Sequence, residues 1–497
     1  MRKMKAVSLI CKPAALALLL ALAGCGSLLH TDYEPPLTSI PAAWTHAPAG
    51  DFQAGPLADG GQWWRNFNDP TLNGLVDAAL ARNNNLAAAA IRVRRAQYQA
   101  GITEDKLLPQ LGGNANVTRN RNLYGDRAIS RTNAAELTVS YEVDLWGKLS
   151  SQRDAAQWDA LATEQDRQSA ALSLVGTTAT LYWQTAFINQ RIASSAESIA
   201  YARRTQDLVR AQYAAGGASA LEMAEAEQTV ASQEAAHTLL VQQRVEYANA
   251  LTILFDGPPD RMMADPARLP GYPLPQARAG VPADLLGRRP DLRAAELRLR
   301  QSLSTVDATR ASFYPPLTLT GALGSSSPTL SDVLKNPVGS LGAALTLPFL
   351  QWNQMQLNIK ISKADYEERV VNFRQALYQA MADVENALSN RTQLRLQAEQ
   401  LDASLRAARE AERLYEVRYR AGAVPLKDWL DAQEKRRVAE VSRDENMLNR
   451  LVNQVTVYQA LGGDDVVGGG AAESAAGAPT RQTPLLKLGV SWGDWSS

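Results

Sequence analysis

The chain has 497 residues, and its 51 basic residues are balanced by 51 acidic ones. A nucleic-acid binder wants a basic excess, so this balance argues against nucleic acid as a partner. His30, His46 and His237 lie far apart, and no phosphate-binding loop, paired-cysteine zinc motif or nucleophile elbow is written in the sequence. An enzyme or a metal centre therefore has no motif to start from.

The N-terminus reads as a sorting signal, 1–24. Arg2, Lys3 and Lys5 precede an apolar run over 14–23 and then small residues around a cysteine, the order of a secretory leader. The run is about ten residues, short of the ~20 that a membrane-spanning helix needs. Leu22-Ala23-Gly24-Cys25 resembles the lipobox of bacterial lipoproteins, which implies cleavage before Cys25 and acylation of its thiol. Cys11 leaves with the leader, so the mature chain holds one cysteine and no internal disulfide. No cofactor is expected beyond this covalent lipid. An acyl anchor holds a protein to one leaflet without carrying it across, and the rest of the chain has no apolar run long enough for a transmembrane helix.

Beyond the lipidated extended segment, 25–61, an internal repeat organises the chain. Leu86 matches Leu292 (292 − 86 = 206), and Pro109-Gln110-Leu111 matches Pro315-Pro316-Leu317 at the same offset. So do Trp146 with Trp352, and Tyr213-Ala214-Ala215-Gly216 with Tyr419-Arg420-Ala421-Gly422. One structural unit copied twice explains a constant offset. The first repeat is 62–257 and the second 284–461; between them, the stretch 258–290 carries eight of the 24 prolines, and its bulk, 258–283, is a linker. The glycine-, alanine- and serine-rich stretch 462–497 is a loosely ordered tail that Trp492 and Trp495 could dock.

Each repeat predicts a helix (86–107 and 292–312), two strands, and two further helices. The clearest strand is 137–145, where Leu137, Val139, Tyr141, Val143 and Leu145 alternate with Thr138, Ser140, Glu142 and Asp144. The segment 341–347 repeats it more weakly, with partners near 111–120 and 317–323. Alternation alone fits a soluble core or a lipid-facing barrel wall. The lipobox, and Tyr141, Trp146, Phe313, Tyr314, Phe349 and Trp352 near the strand ends, favour the barrel, where aromatics form an interfacial girdle. The stretch 149–215 has no proline and one glycine, Gly176; 352–421 has neither. At 1.5 Å per residue, continuous helices of this length reach roughly 100 Å. Each ends at Ala-Gly and is followed by a returning helix, to about residues 255 and 461, making two long helical hairpins.

Four strands per chain cannot close a membrane barrel, which starts at about 8, and open edges cannot stand in lipid. Several chains must share one barrel. On Cys25, Tyr33-Glu34-Pro35-Pro36, the segment from Trp64 to Pro70, Arg288-Arg289-Pro290-Asp291-Leu292, Phe313-Tyr314-Pro315, Arg418-Tyr419-Arg420-Ala421-Gly422 and Leu430-Asp431-Ala432-Gln433, the chain resembles the outer-membrane efflux proteins. These are the TolC-like channels, and the resemblance is to the lipoprotein branch that includes OprM and NodT. It implies an α+β, mainly α fold: a homotrimer with a 12-stranded barrel in the outer membrane and a long α-helical tube in the periplasm. It also implies a passive duct for small molecules or drugs, joined through a periplasmic adaptor protein to an inner-membrane pump of the RND type. Two departures stand out. Asp464 follows Ala460-Leu461-Gly462-Gly463 where the family often continues Gly-Trp, and Lys427 occupies a position where relatives often carry a hydrophobic residue.

The hairpin turns carry the candidate gate. Asp428 and Asp431 are three apart and share a helix face; Lys427 and Asp431 are four apart and can pair. At the repeat offset the matching residues are Glu222 and Glu225, and Arg418 and Arg420 are further candidate partners. In a trimer these carboxylates would form rings that favour cations; the other reading is an ordinary solvated helix surface. At the level of the whole chain, a duct for secreted proteins and a structural lipoprotein tether without a pore are the alternatives.

Overall fold

The computed structural model describes residues 30–47, 62–125, 129–259, 264–271, 273–275, 277–333, 335 and 337–463. The leader, Cys25, and the tail with Asp464, Trp492 and Trp495 lie outside the described residues.

A 3₁₀ turn, Trp63–Phe67, leads into α1 (Pro70–Arg82) and α2 (Asn84–Asp105). Then come β1 (Gln110–Arg121), β2 (Ile129–Val143), α3 (Lys148–Ala214) and α4 (Ala220–Ile253). After the proline-rich stretch, the same order returns as α5 (Pro290–Ala311), β3 (Leu317–Ser327), β4 (Val338–Leu345), α6 (Trp352–Arg420) and α7 (Leu426–Ala460). The offset of 206 survives in the structure: α2 and α5 begin 206 residues apart (290 − 84), α3 and α6 end 206 apart (420 − 214). Both long helices are continuous, at 67 and 69 residues, so each extends roughly 100 Å. Among the described residues no helix is long and apolar enough to cross a membrane.

The four strands make one antiparallel sheet in the order β1-β2-β3-β4. Its register aligns odd-numbered residues across the sheet: Leu111 with Val139, Leu137 with Leu323, Tyr141 with Leu319, Leu317 with Leu345. Over its inner part that face is therefore apolar, from Leu111, Leu137 and Leu323 to Tyr141, Leu319 and Leu345, and Leu111, Leu137, Leu323 and Leu341 lie exposed on it in the single chain. The other face carries Thr138, Ser140, Glu142, Thr318 and Thr320. Strand β2 starts eight residues earlier than alternation predicted (137 − 129), because Arg131 and Asn133 interrupt the apolar pattern while pairing with β1 continues. It also stops at Val143. Asp144 turns to accept the amides of Leu149 and Ser150, at 3.0 and 2.9 Å, and so caps the start of α3.

Near the middle of the long helices sits an aromatic core. Trp63 stacks on Tyr458 (4.9 Å) and Phe67 meets Trp183 (4.7 Å), binding the chain entry, α3 and α7 together. Gly176 lets α7 approach: a Cβ there would lie 2.0 Å from Gln459 Nε2, which instead donates to the Leu172 carbonyl at 3.2 Å. The segment 30–47 runs as a strap over this body. Thr31 donates from its amide and hydroxyl to the buried Asp307, both at 2.7 Å. Arg300 covers the Tyr33 ring at 4.7 Å, and Glu385 accepts the amides of Thr45 and His46.

Candidate functional site

The end farthest from the sheet is built by two matched turns. Gly216 and Gly422 take left-handed φ values of 76° and 75°. The amide of Gly217 donates to the Gln212 carbonyl at 2.7 Å, and that of Ala423 to the Arg418 carbonyl at 2.9 Å. Both are the C-terminal closure in which a left-handed residue lets two amides fold back onto the last helical turn. Glycine fits because any Cβ is disfavoured there.

Beyond the second turn, Lys427 Nζ donates to Asp431 Oδ2 at 2.6 Å. That hydrogen bond first, and then the charges of Asp431, Asp428 and Glu225, hold the ammonium above its ordinary range. Glu225 of the first hairpin thus lies within the field of Lys427. Glu222 is engaged locally: its Oε2 accepts the Ser219 amide (2.7 Å) and hydroxyl (3.0 Å), completing the capping box of α4. Arg420 pairs with Glu416 on its own helix at 2.6 Å. Arg418 lies exposed, lending its carbonyl to the turn. Asp428 and Asp431 open onto a groove between α6 and α7 floored by Ala407, Ala411 and Tyr415.

Within one chain, the two hairpins are joined at the tip by aromatic contacts that charge spacing did not reveal. The Tyr419 hydroxyl donates to Gln212 Oε1 at 2.8 Å. Its ring stacks on Trp429 (5.2 Å), and Tyr201 meets Trp429 edge-on (6.2 Å). Val209, Ala226 and Leu426 complete the cluster. The signal available was helical spacing, since Leu426, Trp429 and Gln433 recur along one buried stripe of α7. One turn further on, Arg436 binds both Glu412 of α6 and Glu440, the latter at 2.6 Å. Burial pushes the Glu412 carboxyl up against the pull of Arg436, with Glu416 and Glu440 adding to the rise. Burial, with Glu416 and Glu412 beside it, pushes the Tyr201 hydroxyl up to about 12.

This geometry, a four-stranded sheet at one end of two long hairpins and a braced turn at the other, has counterparts among known proteins. The sequence model described as outer membrane efflux protein matches residues 75–255 and 281–463. The chain belongs to this family. The pyoverdine export outer membrane protein OpmQ of Pseudomonas putida is 33% identical over 441 residues, covering 86% of this chain and 93% of that protein. The toxin and drug export protein A of Aggregatibacter actinomycetemcomitans is 31% identical over 407 residues, covering 81% of this chain and 88% of that protein. The crystal structure of the Campylobacter jejuni CmeC outer membrane channel superposes with a TM-score of 0.81 at 25% identity, covering 88% of this chain and 94% of that one. As an outer membrane efflux protein, this chain is an efflux channel component of the outer membrane that extends into the periplasm. The turns with Gly216 and Gly422 are its periplasmic end.

Proposed function

We propose that three copies of this chain form a passive duct for small molecules. Each copy would supply four strands to a 12-stranded barrel and two hairpins to a periplasmic tube. The observation that carries this reading is the open sheet. Among the described residues strands β1 and β4 each pair on one side only, and an apolar face lies exposed between them. Unpaired backbone at membrane depth needs a neighbour, and a second and third copy supply it. The tube meets a periplasmic adaptor and an RND-type inner-membrane pump, which provides the energy. The duct itself performs no chemistry and needs no cofactor, and the lipid on Cys25 is a second, independent anchor. This reading takes 62–257 and 284–461 as the two repeats, with 25–61 before them in the sequence, 258–283 between them and 462–497 after them.

In this reading the tip is the gate. Asp428, Asp431 and Lys427, with Glu225 across from them, ring the axis, and Arg418 is free to reach a neighbouring copy. The Tyr419, Gln212 and Trp429 cluster keeps each copy's hairpins together. Light scattering of purified protein in detergent is expected to give three chains, and planar bilayers a cation-preferring conductance. Asp428→Ala with Asp431→Ala is expected to raise conductance and reduce cation preference. An intact trimer with unchanged conductance and selectivity would remove the gate, and a stable monomer without conductance would leave only the tether. Mass spectrometry of the mature N-terminus tests the lipid on Cys25.

A further inference from the structure

The charges on the sheet are sorted by face and by height. On the face that carries Leu111, Val117, Leu137, Val139 and Leu323, the strands hold three charged residues, and all three are arginines: Arg119, Arg121 and Arg131. The acids of the strands, Glu136 and Glu142, are on the opposite face. Arg119 and Arg131 are direct cross-strand partners, and Arg121 is the diagonal neighbour of Arg131. Opposed side chains have Cβ atoms about 5 Å apart and diagonal ones about 7–8 Å, and like charges so placed repel. All three are exposed, and none forms an ion pair among the described residues.

Height is set by the inner interface. There Tyr141 is the interfacial aromatic of the apolar face, two residues before β2 ends at Val143, and Trp146 packs on Tyr314 (5.0 Å) while donating to the Pro315 carbonyl at 2.8 Å. Arg131 lies ten residues outward along the same strand (141 − 131). That is about 34 Å of strand, or roughly 25 Å along the membrane normal at a tilt of ~40°, which is the height of a barrel's apolar band. The three guanidiniums therefore sit where hydrocarbon gives way to the headgroups of the outer leaflet, pointing out of the barrel. Deep in hydrocarbon they would be unfavourable; in neutral headgroups their mutual repulsion would stand uncompensated.

We infer that Arg119, Arg121 and Arg131 form a binding site for the phosphate groups of a phosphorylated glycolipid of the outer leaflet. Phosphate oxygens accept charge-assisted hydrogen bonds from guanidinium forks, and one phosphate can bridge two arginines that would otherwise repel. The acyl chains of the same molecule would lie down the leucine-rich face below. The inference rests on the barrel reading above, in which the apolar face meets lipid.

The test uses the full-length protein and native mass spectrometry of the detergent-purified trimer, with bisphosphorylated lipid A as the probe. Wild type is expected to retain the lipid, and the triple variant Arg119→Ser, Arg121→Ser, Arg131→Ser to retain about tenfold less, the equivalent of losing one charge-assisted contact. The triple lysine variant keeps charge without the fork and is expected to fall between. The single variants Arg119→Ser and Arg131→Ser carry the comparison if the triple serine variant does not assemble. Dephosphorylated lipid A and phosphatidylglycerol are the comparison lipids, and inorganic phosphate is the competitor. Equal retention by wild type and the serine variants, equal retention of dephosphorylated lipid A or phosphatidylglycerol, or displacement of lipid A by inorganic phosphate would overturn the site. Conductance in planar bilayers is measured in parallel. A conducting wild type that retains no lipid A rejects this site and spares the barrel, while loss of both rejects the barrel reading too.

Discussion

Single residues at the turns and along the strap carry specific physical duties. Gly216 and Gly422 hold φ values of 76° and 75°, and nothing lies within 4 Å of where a Cβ would be. Gly216→Ala and Gly422→Ala therefore test backbone strain without a clash. Each is expected to weaken its turn by about 1 kcal/mol, read as faster amide exchange at the tip with the sheet unchanged. Glu385 is a second case. Burial raises its carboxyl, but the Thr45 and His46 amides and the His46 ring, at 2.8 Å, outweigh that and bring it below the ordinary range. A carboxylate depressed in the folded state adds stability above its unfolded pKa, and that stability is lost as pH falls through the folded value. Protection of the strap 30–47 from exchange or protease is thus expected to be full at neutral pH and to fall below about pH 4. Glu385→Gln should show weaker protection at neutral pH and little change on acidification; a variant that tracks the wild-type profile would remove Glu385 as the anchor. The pairing of Lys427 with Asp431 was legible in their spacing, because four residues along a helix is a contact distance. The engagement of Glu222 in a capping box was also written, as Ser219 three residues ahead of it.

At the scale of elements, the lengths of α3 and α6 follow from uninterrupted, alanine-rich sequence, since nothing in either stretch stops a helix except the final glycine turn. Where these helices touch other elements is a different matter. Gly176 is the one glycine in α3, and its role appears only when Gln459, 283 residues later (459 − 176), packs over it. Gly176→Leu would drive Gln459 from its bond with the Leu172 carbonyl and overpack a tight contact. It is expected to destabilise the mid-body by about 1–3 kcal/mol, read as a lower thermal midpoint. Gly176→Ala is a milder probe, because its gain in helix propensity, about 1 kcal/mol, offsets part of the strain. A midpoint unchanged by Gly176→Leu would mean that α7 does not need this approach.

For the whole molecule, the sheet is the part that a single chain leaves incomplete. Its register puts Val139 on the apolar face and Ser140 on the other. Val139→Arg is expected to reduce assembly by about 2–4 kcal/mol near midplane, and Ser140→Arg by much less, because the latter faces water. Trimer yield in detergent after outer-membrane extraction measures both. Equal loss for the two variants would mean that the faces are assigned wrongly. The same two-faced sheet makes the position of Arg119, Arg121 and Arg131 informative, since a charge on a lipid face is costly at midplane and tolerated near the headgroups.

The sequence by itself determined the order of elements, the duplication at 206, the long helices and the alternation that marks a two-faced strand. These are local or periodic properties, set by proline, glycine and the spacing of apolar side chains along a few turns. Only the tertiary structure decided how far β2 runs, that Asp144 leaves the strand to cap α3, and that Tyr419, Trp429, Gln212 and Tyr201 join two hairpins. The hairpin contacts depend on residues up to about two hundred positions apart, and the end of β2 on a competition between strand pairing and the helix cap that alternation does not record. Contacts of that kind leave no period in the sequence and exist only once the helices are laid side by side.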